Sequence, residues 1–226
     1  MRLSIIVPVL NEAAQIAATL EPLQSLRAQG HEILVVEGGS DDGTPECARP
    51  FCDRVVDAPR GRARQMNAGA RAACGNVLWF LHADTRASAQ AIDALHVAIA
   101  QPSCAWGRFD VRLSGKHPLL RMVERLMNLR SRWTGIATGD QGMFVRRDLF
   151  ERVGGFPDIP LMEDIELSRR LKRAAAPVCL RERLVTSSRR WERNGIVRTV
   201  LLMWRLRFAY WLGVSPERLA AQYRYG

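Results

Sequence analysis

Three groups of side chains in this sequence are of types that do chemistry, and each follows an apolar run or a break in one. The densest is Leu161-Met162-Glu163-Asp164-Ile165-Glu166-Leu167, where three acids crowd the first turn of a helical segment. The helix dipole favours acids there, which by itself accounts for them. The preceding stretch, Gly155-Phe156-Pro157-Asp158-Ile159-Pro160, is unable to be helical. A carboxylate held at such a junction is well placed to take a proton from a bound hydroxyl. The second group is a pair of loop carboxylates: Glu37 ends the run EILVVE, and Asp84 lies three residues past VLWFL, in His82-Ala83-Asp84-Thr85. Each can accept from a base or ribose, or hold a hard cation that bridges phosphates. Asp84 also reads as the N-cap of a helix starting near Ser88, and His82 as a metal neighbour, a phosphate donor or a polar strand end. The third group is the basic loop Arg60-Gly61-Arg62-Ala63-Arg64 before a helix start. Guanidinium and free N–H groups together suit a phosphate there, or form a solvated charged face. Gly38-Gly39 and Gly43 mark tight turning of the backbone beside Glu37, close to a ligand if one binds there.

The elements that must hold these groups alternate. Leu3 to Val9 and Glu32 to Glu37 read as buried strands, Arg54 to Val56 as a short third and Val77 to Leu81 as the most central. Helices are expected over Ala13–Gln29, 44–52 and Ala63–Ala73. Repeated βα units imply a mostly parallel, doubly wound α/β sheet, with ligands beyond the carboxyl ends of its strands. In the second half, 106–113 alternates like an edge strand. A helix is expected over 118–131 with Leu119, Met122, Val123, Leu126 and Leu129 on one face and Arg121, Glu124, Arg125 and Asn128 on the other. Gln141 to Arg146 is strand-like, followed by helices over Arg147–Val153 and Leu161–Arg173.

At 226 residues, 47% hydrophobic and 25% charged, the chain is a globular protein with room for one substantial core. It has no run of roughly 20 apolar residues able to span a bilayer. Its opening, MRLSIIVPVLNE, lacks the form of a signal peptide, so a cytoplasmic location is expected. Five cysteines without a Cys-x-x-Cys pair read as reduced thiols. The net charge is +10, and residues 181–226 contribute +7 of it through ten arginines against three glutamates. A polyanionic partner follows: a nucleotide diphosphate, anionic lipid head groups or nucleic acid. Nucleic acid is set aside because no nucleic-acid-binding motif is present.

Taken in order, these segments resemble glycosyltransferase family 2 over about residues 3–195. SIIVPVLNE is similar to that family's opening strand and turn, and VVEGGSDDGT to its second-strand signature. ARQMNAGARAACG looks like its Ala-Arg-Asn-x-Gly helix, and FLHADT occupies the place of its Asp-x-Asp metal motif. GDQGMFVRRDLFERVGGFPDIPLMEDIELSRRL matches its acceptor-side region, and RRWERNG falls where a Gln/Arg-x-x-Arg-Trp element often stands. The resemblance implies a GT-A fold, Rossmann-like, with a nucleotide-sugar-binding half (1–105), an acceptor-side half (106–195) and a helical tail (196–226). It implies an inverting transferase that moves a sugar from a nucleotide-diphosphate sugar to a hydroxyl acceptor.

By position, the resemblance makes Asp164 the base, with Glu163 beside it. The donor would lie against Pro8, Asn11, Glu12, Glu37, Gly39, Arg62, Gln65, Asp84, Arg190 and Trp191. Asp84 and His82 would hold Mg²⁺ or Mn²⁺, and Gly139, Asp140 and Gln141 would form the acceptor side. Three positions depart from the family pattern. Gly38 stands where an Asp usually reads the base, His82 replaces the first metal-motif Asp, and Ser187 replaces the usual Gln or Arg. Those departures keep an inactive anionic-ligand- or membrane-binding protein of the same fold as the alternative. A nucleotidyltransferase is disfavoured, because the loop Pro8-Val9-Leu10-Asn11-Glu12 is acidic and lacks glycine. The tail segment Ile196 to Leu212 has two readings. It is either a helix packed on the body or on a second subunit of a homo-oligomer, or an interfacial helix on anionic lipid at the inner face of the membrane.

Overall fold

A computed structural model describes residues 1–225; Gly226, the end of the expected tail, lies outside the described residues. Strands β1 (Leu3–Val9) and β2 (Glu32–Glu37) form as short β-branched runs, buried along nearly their whole length. The helix expected over 13–29 is two, α1 (Ala13–Leu20) and α2 (Gln24–Ala28), with a 3₁₀ turn at Glu21–Leu23 between them. Pro22 causes the break, since it has no N–H to donate back along the helix. Next come α3 (Thr44–Ala48), β3 (Arg54–Asp57), α4 (Arg62–Ala72) and β4 (Val77–Phe80), close to their expected bounds. A two-residue strand β5 (Thr85–Arg86) and helix α5 (Ala89–Ala100) follow. Ser88 caps α5, its side chain accepting the Ala91 N–H at 3.2 Å. The N-cap reading of Asp84 is therefore wrong, and its carboxylate is free for other work.

The second half runs β6 (Trp106–Leu113), α6 (Pro118–Thr134), β7 (Phe144–Arg146), α7 (Arg147–Arg152), α8 (Glu163–Ala174), β8 (Val178–Thr186), α9 (Arg189–Asn194), α10 (Ile196–Trp211) and α11 (Pro216–Tyr225). Among the described residues all eight strands join one sheet in the order β3-β2-β1-β4-β7-β6-β8-β5. Six share one direction, and only β7 and β5 run against them. Alternate residues of β1, β2 and β4 feed two apolar layers. Ile5, Val7, Val35 and Trp79 meet α1 and α5 on one side, while Ile6, Leu34, Val36 and Phe80 meet α4, α7 and α8 on the other.

Two expectations for this half fail. Strand β6 is not an edge, because it pairs with β7 on one side and β8 on the other. The strand expected from Gln141 begins only at Phe144, after a 3₁₀ turn at Gly139–Gln141. Helix α6 buries a mixed face, in which Leu120 and Val123 lie beside Glu124. Glu124 is 4% exposed, whereas Met122, Leu126 and Leu129 are 42–52% exposed. Glu124 and Asn128 are held inward by β6. Asn128 pairs with both backbone groups of Val111 (2.8 and 3.0 Å), and Glu124 accepts from the Leu113 N–H at 2.5 Å. Arg108, 1% exposed, and Arg132 both bind Asp110.

Candidate active site

Of the expected functional residues, Pro8, Asn11, Glu12, Glu37, Gly39, His82 and Asp84 lie at or just past the carboxyl ends of β1, β2 and β4, where ligands bind on such sheets. At β2, Glu37 is 7% exposed; one carboxylate oxygen accepts the Ser40 N–H at 2.5 Å and the other is buried without a partner. An orphaned buried acceptor is costly unless a donor arrives, and a base N–H or ribose hydroxyl would be one. Gln65 does something the sequence does not announce. Its amide donates to the carbonyls of Val9 and Val36, both at 2.8 Å, and so ties the ends of β1 and β2 together. A Cβ at Gly38 would lie 2.8 Å from that same amide, so Gln65 fills the space an Asp at 38 would need. Gly39 turns at φ +93°, open to solvent, where glycine alone is comfortable.

The β1 turn is locked to the β2 loop. Pro8, the one proline of β1, sits opposite Val36. Asn11, at φ +55°, donates its N–H to Ser40 Oγ and accepts from the Asp41 N–H, each at 3.0 Å. Thr44 Oγ1 and Asp42 receive the first free N–H groups of the α1 end, from Glu12 and Ala13. The Glu12 carboxyl is pushed up by burial, with Arg189 opposing. Arg189 reaches Glu12 at 3.2 Å and Asp84 at 4.0 Å, so a cation already lies between two carboxylates. The resemblance points to the neighbouring Arg190 and Trp191 rather than to Arg189. Trp191 instead packs with Leu120, Val123 and Ile196, and Arg190 stacks on Tyr223 with its Cζ 3.5 Å from the ring centre.

His82 belongs to a different cluster. Its Nδ1 lies 3.3 Å from Asp140, and its Nε2 abuts Gly139, where a Cβ would clash. Asp140 keeps 40% of its side chain exposed in this concave site. Desolvation raises its carboxyl, but His82, Arg62 and Arg190 outweigh that and hold it below the ordinary carboxylate range. Gln141 is fully buried and closes a capping box with Thr138 that fixes the turn beneath.

The acid pair at the start of α8 completes the cleft. Met162 precedes it at φ +71°, a left-handed conformation rare for a non-glycine residue. Such a residue costs about 1–3 kcal/mol and persists only where its surroundings fix it, as at functional sites. Asp164 accepts the Gly139 N–H at 2.8 Å and the Ile165 N–H at 2.7 Å, so both oxygens are oriented. Burial raises its carboxyl, Asp140 adds to this, and the two N–H groups and Arg62 oppose. Glu163, 6% exposed, is raised by burial first and then by Asp164. For Arg62, desolvation is the largest influence and lowers its pKa; Glu163, Tyr223, Asp140 and Asp164 together raise it more. Arg130, on α6, also faces this site. Its Nε and Nη2 are buried without partners; burial lowers its pKa, while the Asp164 carboxylate opposes. Only its place on a helix that turns polar side chains inward could have signalled it.

A divalent cation fits one part of this site. Mg²⁺ is commonly held by one or two carboxylates together with substrate phosphates. The Asp84 side chain is 29% exposed, with its nearest cation at 4.0 Å and a hydroxyl contact at 3.5 Å, so its oxygens remain available. Among the described residues no three His, Cys, Asp or Glu side chains converge as a ready-made metal cage.

The fold class is GT-A: a mannosyltransferase of Pyrobaculum calidifontis, solved with GDP-Man and Mn²⁺, superposes with a TM-score of 0.67 at 23% identity. That likeness covers 99% of this chain and 69% of the other. Residues 4–154 match the sequence model of glycosyl transferase family 2, and the chain belongs to that family. Among curated relatives, a probable glycosyltransferase, YdaM of Bacillus subtilis, is 27% identical over 194 residues, covering 75% of this chain and 46% of its own. A Mycobacterium tuberculosis PGL/p-HBAD biosynthesis glycosyltransferase is 30% identical over 173 residues, covering 68% and 62%. The chain thus spans about half to three-fifths of the length of these relatives.

Proposed function

We propose that the protein transfers a sugar from a nucleotide-diphosphate sugar to an acceptor hydroxyl with inversion at the anomeric carbon. The observation that carries this reading is the Asp164 carboxylate, oriented by two backbone N–H groups and raised by burial, at the same sheet edge as Glu37 and Asp84. A base with an elevated pKa is matched to its work near neutral pH. In a single displacement the acceptor oxygen bonds to the anomeric carbon as the bond to the diphosphate oxygen breaks. The acceptor proton goes to Asp164 and the electron pair leaves with the diphosphate. Glu37 would accept from the base or ribose. Arg62 and Arg189 would stabilise the diphosphate as its charge develops. Mg²⁺ or Mn²⁺, when bound with the donor, would neutralise part of that charge, with Asp84 as the ligand from this chain. A lipid-linked acceptor suits the position of α10, whose inner face packs on Met162 and Ile165 beside Asp164.

The rival reading, an inactive protein of the same fold, draws on Gln65 filling the space beside Gly38. The experiment that separates the two is release of nucleoside diphosphate from a panel of donors, with NMR of the glycosidic product. Release with a product anomer opposite to the donor supports the proposal. A product that retains the donor anomer contradicts the single displacement, and no release from any donor favours the inactive reading.

A further inference from the structure

The outer faces of α6 and α10 form a surface that the folded chain leaves uncovered. On α6, Met122, Leu126, Leu129 and Trp133 recur at helical spacing and point to solvent. On α10, Val197, Leu201, Trp204, Phe208 and Trp211 do the same over four turns, at 60–69% exposure. The two helices are neighbours, joined through Val123 and Met127 on one and Ile196 and Val200 on the other. Trp133, Trp204 and Trp211 are 64–79% exposed. At about 150–250 Å² per aromatic side chain, these three alone give about 300–500 Å². That already equals the largest apolar patch on an ordinary monomer, about 300–600 Å². Packing explains why α10 is not simply loose: Thr199 and Leu206 are buried against the body while the opposite face is bare.

Charge decides the occupant. The only acid of α6, Glu124, is buried, and α10 has none, whereas Arg125, Arg198 and Arg205 are exposed beside the stripes. Where the C-terminal ends of both helices meet α8, an open groove of about 750 Å³ is lined by Arg169, Lys172 and Arg173, with Glu166 the one acid. Lys172 donates to the Thr134 carbonyl at 2.6 Å, and Arg169 lies over the Tyr210 ring. A second copy of the chain would oppose arginine to arginine, whereas helices that pair along such stripes usually carry both signs at their flanks. A bilayer with anionic head groups satisfies both the apolar stripes and the arginines, and exposed tryptophans are at home at its interface. None of the helices described is long and apolar enough to cross a membrane, so the contact is with one leaflet.

We infer that the joint face of α6 and α10 docks the protein on an anionic lipid surface. The inference needs neither donor nor metal, so its failure would leave the transfer reading standing. The test is sedimentation of the full chain with phosphatidylcholine vesicles, with and without phosphatidylglycerol, together with tryptophan emission. Sedimentation only with phosphatidylglycerol, a blue shift and reversal by salt are expected. Trp204→Ser with Trp211→Ser, and separately Leu126→Ser with Leu129→Ser, should each weaken vesicle binding by roughly 10-fold or more. These side chains are exposed, and unchanged circular dichroism checks that the variants fold. Arg198→Gln with Arg205→Gln keeps both stripes and should lower the salt concentration that releases the protein. No sedimentation at low salt would overturn the inference. So would undiminished binding by both stripe variants, or a dimer in analytical ultracentrifugation that the stripe variants abolish while vesicles go unbound.

Discussion

The two ends of the sheet are held by different physics. Around β1, β2 and β4, aliphatic side chains interdigitate on both faces, and the polar residues are confined to loops at the strand ends. At β6, the helix that covers the strand is fixed by Arg108, Asp110, Arg132, Glu124 and Asn128 besides Leu120 and Val123, and Met122, Leu126, Leu129 and Trp133 face out. An apolar anchor leaves loop carboxylates such as Glu37 and Asp84 free to meet a ligand. A polar anchor instead specifies one helix orientation and frees an apolar stripe for contacts outside the molecule. Buried ionic groups are weak sources of net stability, so orientation is the role assigned to them here.

The largest effect expected separates the labour of the two regions. Asp164→Asn should lower transfer by roughly 10²–10⁴-fold, the usual scale for a general base, while nucleotide binding at the β1–β2–β4 edge survives. Steady-state rates beside calorimetric nucleotide titration check this, and joint loss of both would mean that Asp164 serves the donor site. Next in size, Asp110→Ala strands Arg108 and should destabilise the fold by about 3–5 kcal/mol. Leu95→Ala, in the apolar layer, should cost a comparable amount, about 2–5 kcal/mol. Urea denaturation of both variants sharpens the contrast, because a small loss for Asp110→Ala would show that the polar anchor orients α6 without holding it.

A smaller effect follows from the acid pair. Glu163 and Asp164 are raised in the folded chain, so it holds their protons to higher pH than the unfolded chain does. Their favourable contribution is full below about pH 4, near the unfolded carboxylate values. It is lost as pH rises through the raised folded values. Glu163→Gln should therefore be more stable than the parent at neutral pH, and that advantage should vanish near pH 4 in thermal melts. The smallest change is expected at Leu126→Ser on the outer face of α6, within about 0.5 kcal/mol. A loss of several kcal/mol there would mean that α6 is oriented as its hydrophobic pattern alone suggests.

That contrast also explains what could be read from the residues alone. β1 and β2 are legible to the residue because buried parallel strands are continuous β-branched runs. α6 misleads because it packs by a mixed face, Leu120 and Val123 together with Glu124 and Ser131, which apolar periodicity does not reveal. β8 goes unnoticed because Arg181, Glu182 and Arg183 interrupt its apolar run, although β6 pairs with it along most of its length. Within the site, Glu37, Asp84 and Asp164 are announced by their places after strands and a proline-rich loop. Arg189 and Arg130 are not, because an arginine in an arginine-rich chain carries no local mark, and only the fold shows which ones face carboxylates.

Binding of a nucleotide-diphosphate sugar at the β1–β2–β4 edge, with a metal at Asp84, is what the proposed transfer requires. It is tested most directly by thermal shift of the parent and Asp84→Ala across nucleoside diphosphates and their sugars, with and without Mn²⁺. Stabilisation by one nucleotide family that requires Mn²⁺ and disappears in Asp84→Ala is the result predicted; a ligand at 100 times its Kd adds about 2.7 kcal/mol. A folded protein whose melting temperature no nucleotide changes, with or without Mn²⁺, would contradict it.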